Sequence, residues 1–163
     1  MRQSSPVAFI MLLPIIMFVL FSFADMGVNF NIRNQMQTAA EGGARAVAIY
    51  GGTNTNVNKT YGNSADIKVT ITGELGPDGK VKTDPISGKK LEGLIPYTLM
   101  ESSLVENIKV ECGPDKTYAG QPVYCEIIYT YNGLLSTGGY FNLGGKIVEA
   151  RGTSVSEVKT INP

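Results

Sequence analysis

Residues Val7-Ala-Phe-Ile-Met-Leu-Leu-Pro-Ile-Ile-Met-Phe-Val-Leu-Phe-Ser-Phe-Ala24 run for 18 positions without a charge, between Arg2 and Asp25. As a helix they would span roughly 27 Å at 1.5 Å per residue, close to the hydrocarbon thickness of a bilayer. The stretch therefore reads as a membrane span. Beyond it, Val28, Ile32, Met36, Ala39, Ala40 and Val47 recur at three- and four-residue steps, with Asn31, Arg33, Asn34, Gln37, Glu41 and Arg45 between them. That period is an amphipathic helix in phase with the span. No proline lies between Pro14 and Pro77; Ser5-Pro6 supplies a helix start and Gly51-Gly52 a helix stop. The spacing predicts one helix from about Pro6 to Tyr50, roughly 68 Å long. Its second half presents an apolar stripe that needs a cover, either the chain's own carboxy-terminal part or helices of other subunits.

Two local features interrupt the pattern. Pro14 removes a backbone hydrogen bond, which lipid tolerates where local adjustment satisfies the freed carbonyl; it is read as a tolerated bend or as a point where the helix bends on leaving the bilayer. Gly42-Gly43 costs about 1 kcal/mol per glycine relative to Ala and is read as a close contact beneath a sheet rather than a hinge. The competing account of the span is a secretory signal cut after Ser22-Phe23-Ala24, which would leave a secreted enzyme. The in-phase continuation from Val28 argues against it. Arg2 on the cytoplasmic side, and about 140 mostly polar residues after a single span, favour an amino terminus inside and an exported domain.

Composition divides at the same place. Five of the six Phe lie between Phe9 and Phe30, all eight Tyr lie from Tyr50 onward, and 18 of the 19 Gly follow Glu41. Phe suits a wholly apolar surrounding, whereas Tyr suits a half-buried sheet where its hydroxyl finds a partner. After a Gly/Thr/Asn-rich loop over 51–65, Ile67-Lys-Val-Thr-Ile-Thr72 alternates at period two and predicts a strand. Gly76-Pro-Asp-Gly79 predicts a turn, Val81 to Leu91 an exposed arm or loop, and Leu94 to Val105 a short helix from near Pro96. Ile108 to Cys112, Val123 to Tyr131 and Lys146 to Val158 predict three further strands. The expected fold is α+β: a long amino-terminal helix, its amphipathic half packed on an antiparallel sheet. The expected division is 1–24 for the transmembrane half, 25–51 for the amphipathic half and 52–163 for an extracytoplasmic β-rich domain.

Cys112 shares parity with Ile108 and Val110, and Cys125 with Val123, Ile127 and Tyr129, so both thiols face the core side of neighbouring strands. That permits a cross-strand disulfide, contributing about 3 kcal/mol in an oxidising compartment; two buried free thiols is the alternative. Nothing cationic or helical adjoins either Cys in sequence to activate it.

The chain has 163 residues, 14 Lys+Arg against 14 Asp+Glu, and no His. Balanced charge without a basic cluster is not the footprint of a nucleic-acid binder. Without His there is no Ser-His-Asp triad, no Cys-His dyad and no His-ligated zinc, and two Cys cannot make a four-thiolate site. Asp66, Asp78, Asp84, Asp115 and the Glu residues are scattered, with no carboxylate pair at close spacing and no calcium-loop pattern. Gly133 to Gly145 has no phosphate-cradle motif. It reads as a long flexible connection between two strands or as an exposed contact loop, for which Leu134, Leu135, Tyr140, Phe141 and Leu143 are the candidates. Asn58-Lys59-Thr60 matches a glycosylation acceptor, a triplet frequent by chance. No catalytic residue, metal or cofactor is expected.

Val7-Ala-Phe-Ile-Met-Leu-Leu-Pro14, then Ala24-Asp-Met-Gly27, then Arg33-Asn-Gln-Met-Gln-Thr-Ala-Ala-Glu-Gly-Gly-Ala-Arg-Ala-Val-Ala48 resembles the amino-terminal domain of TadE-like proteins, pilin-like components of tight-adherence pilus machineries. The resemblance implies a type IV pilin-like layout and a pseudopilin or pilin, held in the membrane and then assembled with other pilin-like subunits by a secretion platform and ATPase. One departure is Ala8, where the family often has Glu; in type IV pilins an analogous Glu pairs with a neighbouring subunit's terminal amine. No Gly precedes Val7 to mark peptidase cleavage. Phe9, Ile10, Leu13, Pro14, Ile16, Leu20 and Phe23 are the expected packing residues, against lipid first and other helices later; Val28, Ile32, Met36, Ala40 and Val47 are the expected stripe. The alternative function is a membrane-anchored adhesin or binding protein that never polymerises.

Overall fold

A computed structural model of the chain describes residues 6–50, 71–75, 77, 80–114, 119–134 and 145–157. Helix α1 runs unbroken over Pro6–Tyr50, with Pro14 inside it. A single turn, α2, covers Tyr97–Met100, and three strands follow: β1 (Val105–Gly113), β2 (Pro122–Tyr131) and β3 (Lys146–Val155). They form an antiparallel meander in the order β1-β2-β3. The fold is the expected α+β layout, a long helix packed on an antiparallel sheet.

One strand expectation fails where it can be seen. Ile71 and Thr72 lie in a helical turn, not a strand; both are buried, and Ile71 accepts a hydrogen bond from the Ile95 N–H. A six-residue alternation shows which residues are apolar, but a short segment buried under neighbours can meet that demand in either conformation. Residues 67–70, like the 51–65 loop and its Asn58 triplet, lie outside the described residues. So do Ser5, Gly51-Gly52 and most of the 76–79 turn, of which Pro77 is seen in a turn. The arm is present: antiparallel bridges join Leu75 to Val81 and Thr83 to Lys90. β3 stops at Val155, before the expected Val158. Glu157 N–H leaves the sheet to donate to the Ala48 carbonyl in the last turns of α1 (3.0 Å), meeting one of the carbonyls a helix end otherwise leaves open.

The core lies between the second half of α1 and the inner face of the sheet. Ile32, Met36, Ala40 and Val47 are buried as the stripe requires, joined by Ala39, Ala44 and Ala48. Val28, at the start of the stripe, is half-buried. Val123, Cys125, Ile127, Tyr129 and Tyr131 of β2 and Ala150 of β3 face them. Small residues on the helix let the strands approach closely. A Cβ on Gly152 of β3 would stand 2.4 Å from the Ala40 carbonyl carbon and oxygen and from the Glu41 nitrogen, and one on Gly43 would stand 2.6 Å from Ile71 Cδ1 and 3.0 Å from Cys125 Sγ. Gly42-Gly43 is therefore a close contact beneath the domain, with Gly42 against Leu94. Cys112 and Cys125 stand opposite one another across β1 and β2 and form a disulfide. It ties the edge strand β1, which carries a bulge between Glu106 and Lys109, to the central strand.

Candidate functional site

The surface with something to explain is the first half of α1. Every side chain from Phe9 to Ala24 is exposed in the isolated chain, including the expected packing residues Phe9, Ile10, Leu13, Pro14, Ile16, Leu20 and Phe23. This stretch is long and apolar enough to cross a membrane, and none of it is buried against the other described residues. Ordinary soluble surfaces do not expose contiguous apolar area on this scale. Ser22 adds no unsatisfied polar group, because its hydroxyl donates to the Phe18 carbonyl one turn back (2.8 Å), as hydroxyls in apolar surroundings do.

Asp25 ends the charge-free stretch, and the sheet reaches it there. Its Oδ1 accepts the Tyr131 hydroxyl at 2.8 Å and the Leu134 N–H at 2.7 Å. Tyr131 is 4 % exposed, and burial, then the Asp25 hydrogen bond and charge, push its phenol well above the usual range. Both effects favour the protonated phenol, the form that donates to Asp25. Beside it, Tyr129 is buried with no hydrogen-bond partner for its hydroxyl among the described residues; burial raises its pKa while the Arg33 charge opposes. The carboxylate thus clips the end of β2 to α1 where apolar helix gives way to amphipathic helix. Farther along, the Gln37 amide donates to the Arg151 carbonyl of β3 (3.0 Å). Sequence reading placed Asp25 as the flank of the span and within the Ala24-Asp-Met-Gly27 stretch but gave it no contact, because its partners lie 106 and 109 residues away.

Hydrogen bonds to a charged acceptor contribute about 1.5–3 kcal/mol each, and buried donors left unpaired cost more. Asp25→Ala is accordingly expected to lower the stability of the sheet domain by about 2–4 kcal/mol, with Asp25→Asn, which keeps a carbonyl acceptor, losing about half. Thermal melts of the detergent-solubilised full chain measure it; equal melts for all three proteins would remove the clamp.

The outer face of the sheet departs from the scattered carboxylates of the sequence. Register sets Glu111 directly opposite Glu126, and Glu126 opposite Arg151. Separation along the chain cannot reveal this neighbourhood, which strand pairing creates. A hydrogen bond with Glu149, then partial desolvation and the Glu149 charge, raise the Glu126 pKa; Arg151 lowers it and Glu111 raises it further. A carboxyl whose folded pKa is raised stabilises the fold fully below its unfolded value, about 4.3, and loses that contribution as pH rises through the folded value. Glu126→Gln should therefore melt higher than wild type at about pH 7 and equally at about pH 3.5. A melt difference independent of pH would contradict this.

Among the described residues, no three His, Cys, Asp or Glu side chains are grouped to hold a metal ion. Of the candidate contact loop, only Leu134 is described, half-buried beside Asp25; Leu135, Tyr140, Phe141 and Leu143 lie outside the described residues. Residues 3–49 match the family model described as "Putative Flp pilus-assembly TadE/G-like", the stretch that carries the resemblance to TadE-like proteins. No curated protein and no solved structure matches the chain.

Proposed function

We propose, from a TadE/G-like helix over residues 3–49 whose first half is apolar and uncovered, that the chain is a pilin-like structural subunit rather than an enzyme. It is anchored in the membrane by residues 1–24, with its amino terminus cytoplasmic. The amphipathic half, 25–51, carries the extracytoplasmic domain, 52–163. Assembly exchanges lipid contacts for helix contacts around Phe9, Ile10, Leu13, Ile16, Leu20 and Phe23. Lipid tails and Leu side chains are about equally apolar, so the exchange is carried by packing rather than by a hydrophobic driving force. Its partners are other pilin-like subunits and the assembly platform of a Tad pilus. The Cys112–Cys125 disulfide supports export of the sheet, since such bonds persist in oxidising compartments.

The observation that carries the reading is one continuous helix with two environments, its second half covered by its own sheet and its first half by none of the described residues. Shear fractionation of cells, with mass spectrometry of the amino terminus, tests it. Filament material retaining Phe9 to Ala24 is the expected result. A protein beginning at Asp25 in the medium would refute it, and an intact chain confined to the membrane as a monomer would favour an anchored adhesin.

A further inference from the structure

The arm between Leu75 and Leu91 carries a tip built to hold one side chain out in solvent. The Asp84 carboxylate accepts the Ile86 N–H (3.1 Å), the Ser87 N–H (3.4 Å) and the Ser87 hydroxyl (2.6 Å). The Asp84 N–H donates to the Lys89 carbonyl, and the Gly88 N–H donates to the Asp84 carbonyl. This closed turn leaves Ile86 95 % exposed. Below the tip, Lys82 is paired with Glu74, and Lys90 is paired with Glu101 and lies over the Tyr97 ring. Lys89 is exposed and makes no ion pair among the described residues. The tip therefore offers one isoleucine flanked by one uncommitted cation, in a conformation already fixed.

The outer face of the sheet offers the complementary set. Ile147 is 72 % exposed and lies diagonally across β2 and β3 from half-buried Ile128, whose direct partner is Glu149. Glu149 and Glu126 share a hydrogen bond. Glu111 already pairs with Lys109, and Arg151 lies over the Tyr124 ring. Two apolar side chains thus border a face on which three carboxylates, Glu111, Glu126 and Glu149, meet two cations, Lys109 and Arg151, so that one added cation is complementary.

We propose that the Ile86 tip of one copy docks on the Ile128/Ile147 patch of a second copy, with Lys89 set against Glu126 and Glu149. The contact deepens the pilin-like reading and rests on it for its setting in a filament. The arm is rooted where Leu94 meets Gly42, and the patch runs along the outer face of the sheet from Glu126, opposite Arg151 at the level of Gln37, to Ile147, opposite Thr130. Such a contact joins two different surfaces, so in a filament of parallel copies it repeats from one neighbour to the next, whereas a two-fold pair would need two reciprocal contacts.

The test places a photoreactive p-benzoylphenylalanine at position 86 of the full chain in its own membrane and maps the adducts by mass spectrometry. Ile86 is 95 % exposed, so the substitution removes no core contact. The expected product is a dimer of this chain joined from residue 86 to the β2–β3 segment around Ile128, Ile147 and Glu149. Lys89→Glu should reduce its yield about two- to fivefold, the range of an exposed ion pair, and Glu149→Lys added to it should restore the yield. An adduct to another protein, to lipid or to a different part of this chain, or no adduct, overturns the contact. Filament yield is read from the same cells: filaments without the adduct sink the contact alone, while the loss of Phe9 to Ala24 from filaments sinks the pilin-like reading.

Discussion

Gly152→Ala is expected to abolish the folded sheet domain. The added methyl would stand 2.4 Å from three backbone atoms of Ala40 and Glu41, and backbone on both sides of the contact cannot rotate away as a side chain can. β3 would have to lift off α1, and with it would go the burial of Ala150 and the Gln37 bond to the Arg151 carbonyl. Overpacking a core commonly costs 1–3 kcal/mol. A clash between two main chains belongs above that, at about 4 kcal/mol or more, against a total stability of roughly 5–15 kcal/mol for a domain. The measurable outcome is protease sensitivity and failure to accumulate. Gly27→Ala is the control: a methyl there meets nothing within 4 Å, and in a helix interior it should add up to about 1 kcal/mol. If the Gly152 variant accumulates normally, the close crossing of α1 and β3 is wrong.

Leu13→Lys is expected to have the opposite profile, with the domain intact and membrane retention or assembly lost. Leu13 is exposed in the isolated chain, so no contact of the sheet depends on it. A lysine near the middle of a membrane helix costs about 2.5–3.5 kcal/mol to insert, and a bundle of packed helices gives the charge no better place. The domain is followed by the Cys112–Cys125 disulfide and protease resistance, and assembly by sheared filament yield. Ile16→Lys should behave alike. Normal filaments from either variant would sink the proposed role of the apolar half.

Legibility in the sequence followed the range of the interactions. The helix and its stripe were readable because both are local, periodic patterns: Ile32, Met36, Ala40 and Val47 return every turn or two, and their burial follows from that period. Parity brought Cys112 and Cys125 to the same side, although the run read for β1, Ile108 to Cys112, is itself short and the strand proves longer, Val105–Gly113. The 71–72 turn was misread because a short alternation does not separate strand from helix. Asp25 and Tyr131 carry no shared motif, and the Glu111, Glu126 and Glu149 neighbourhood arises only from register. Gly152 did give a signal, since a lone glycine within a regular strand marks a close backbone approach, but its partner Ala40 sits in a helix far away in sequence.

The attachment of sheet to helix has a mechanical side. A fibre strung from such helices transmits tension along α1, while the domain hangs from it at spaced points: the Tyr131 and Leu134 bonds to Asp25, the Gly152 crossing at Ala40 and the Glu157 bond to Ala48. These fastenings lie side by side along the rod, so a pull along it loads them together in shear, and none is peeled open ahead of the others. The disulfide keeps β1 from being stripped off the edge. Drag on the domain would then be shared along half the helix and passed to the apolar half, where the neighbours' helices would bear it.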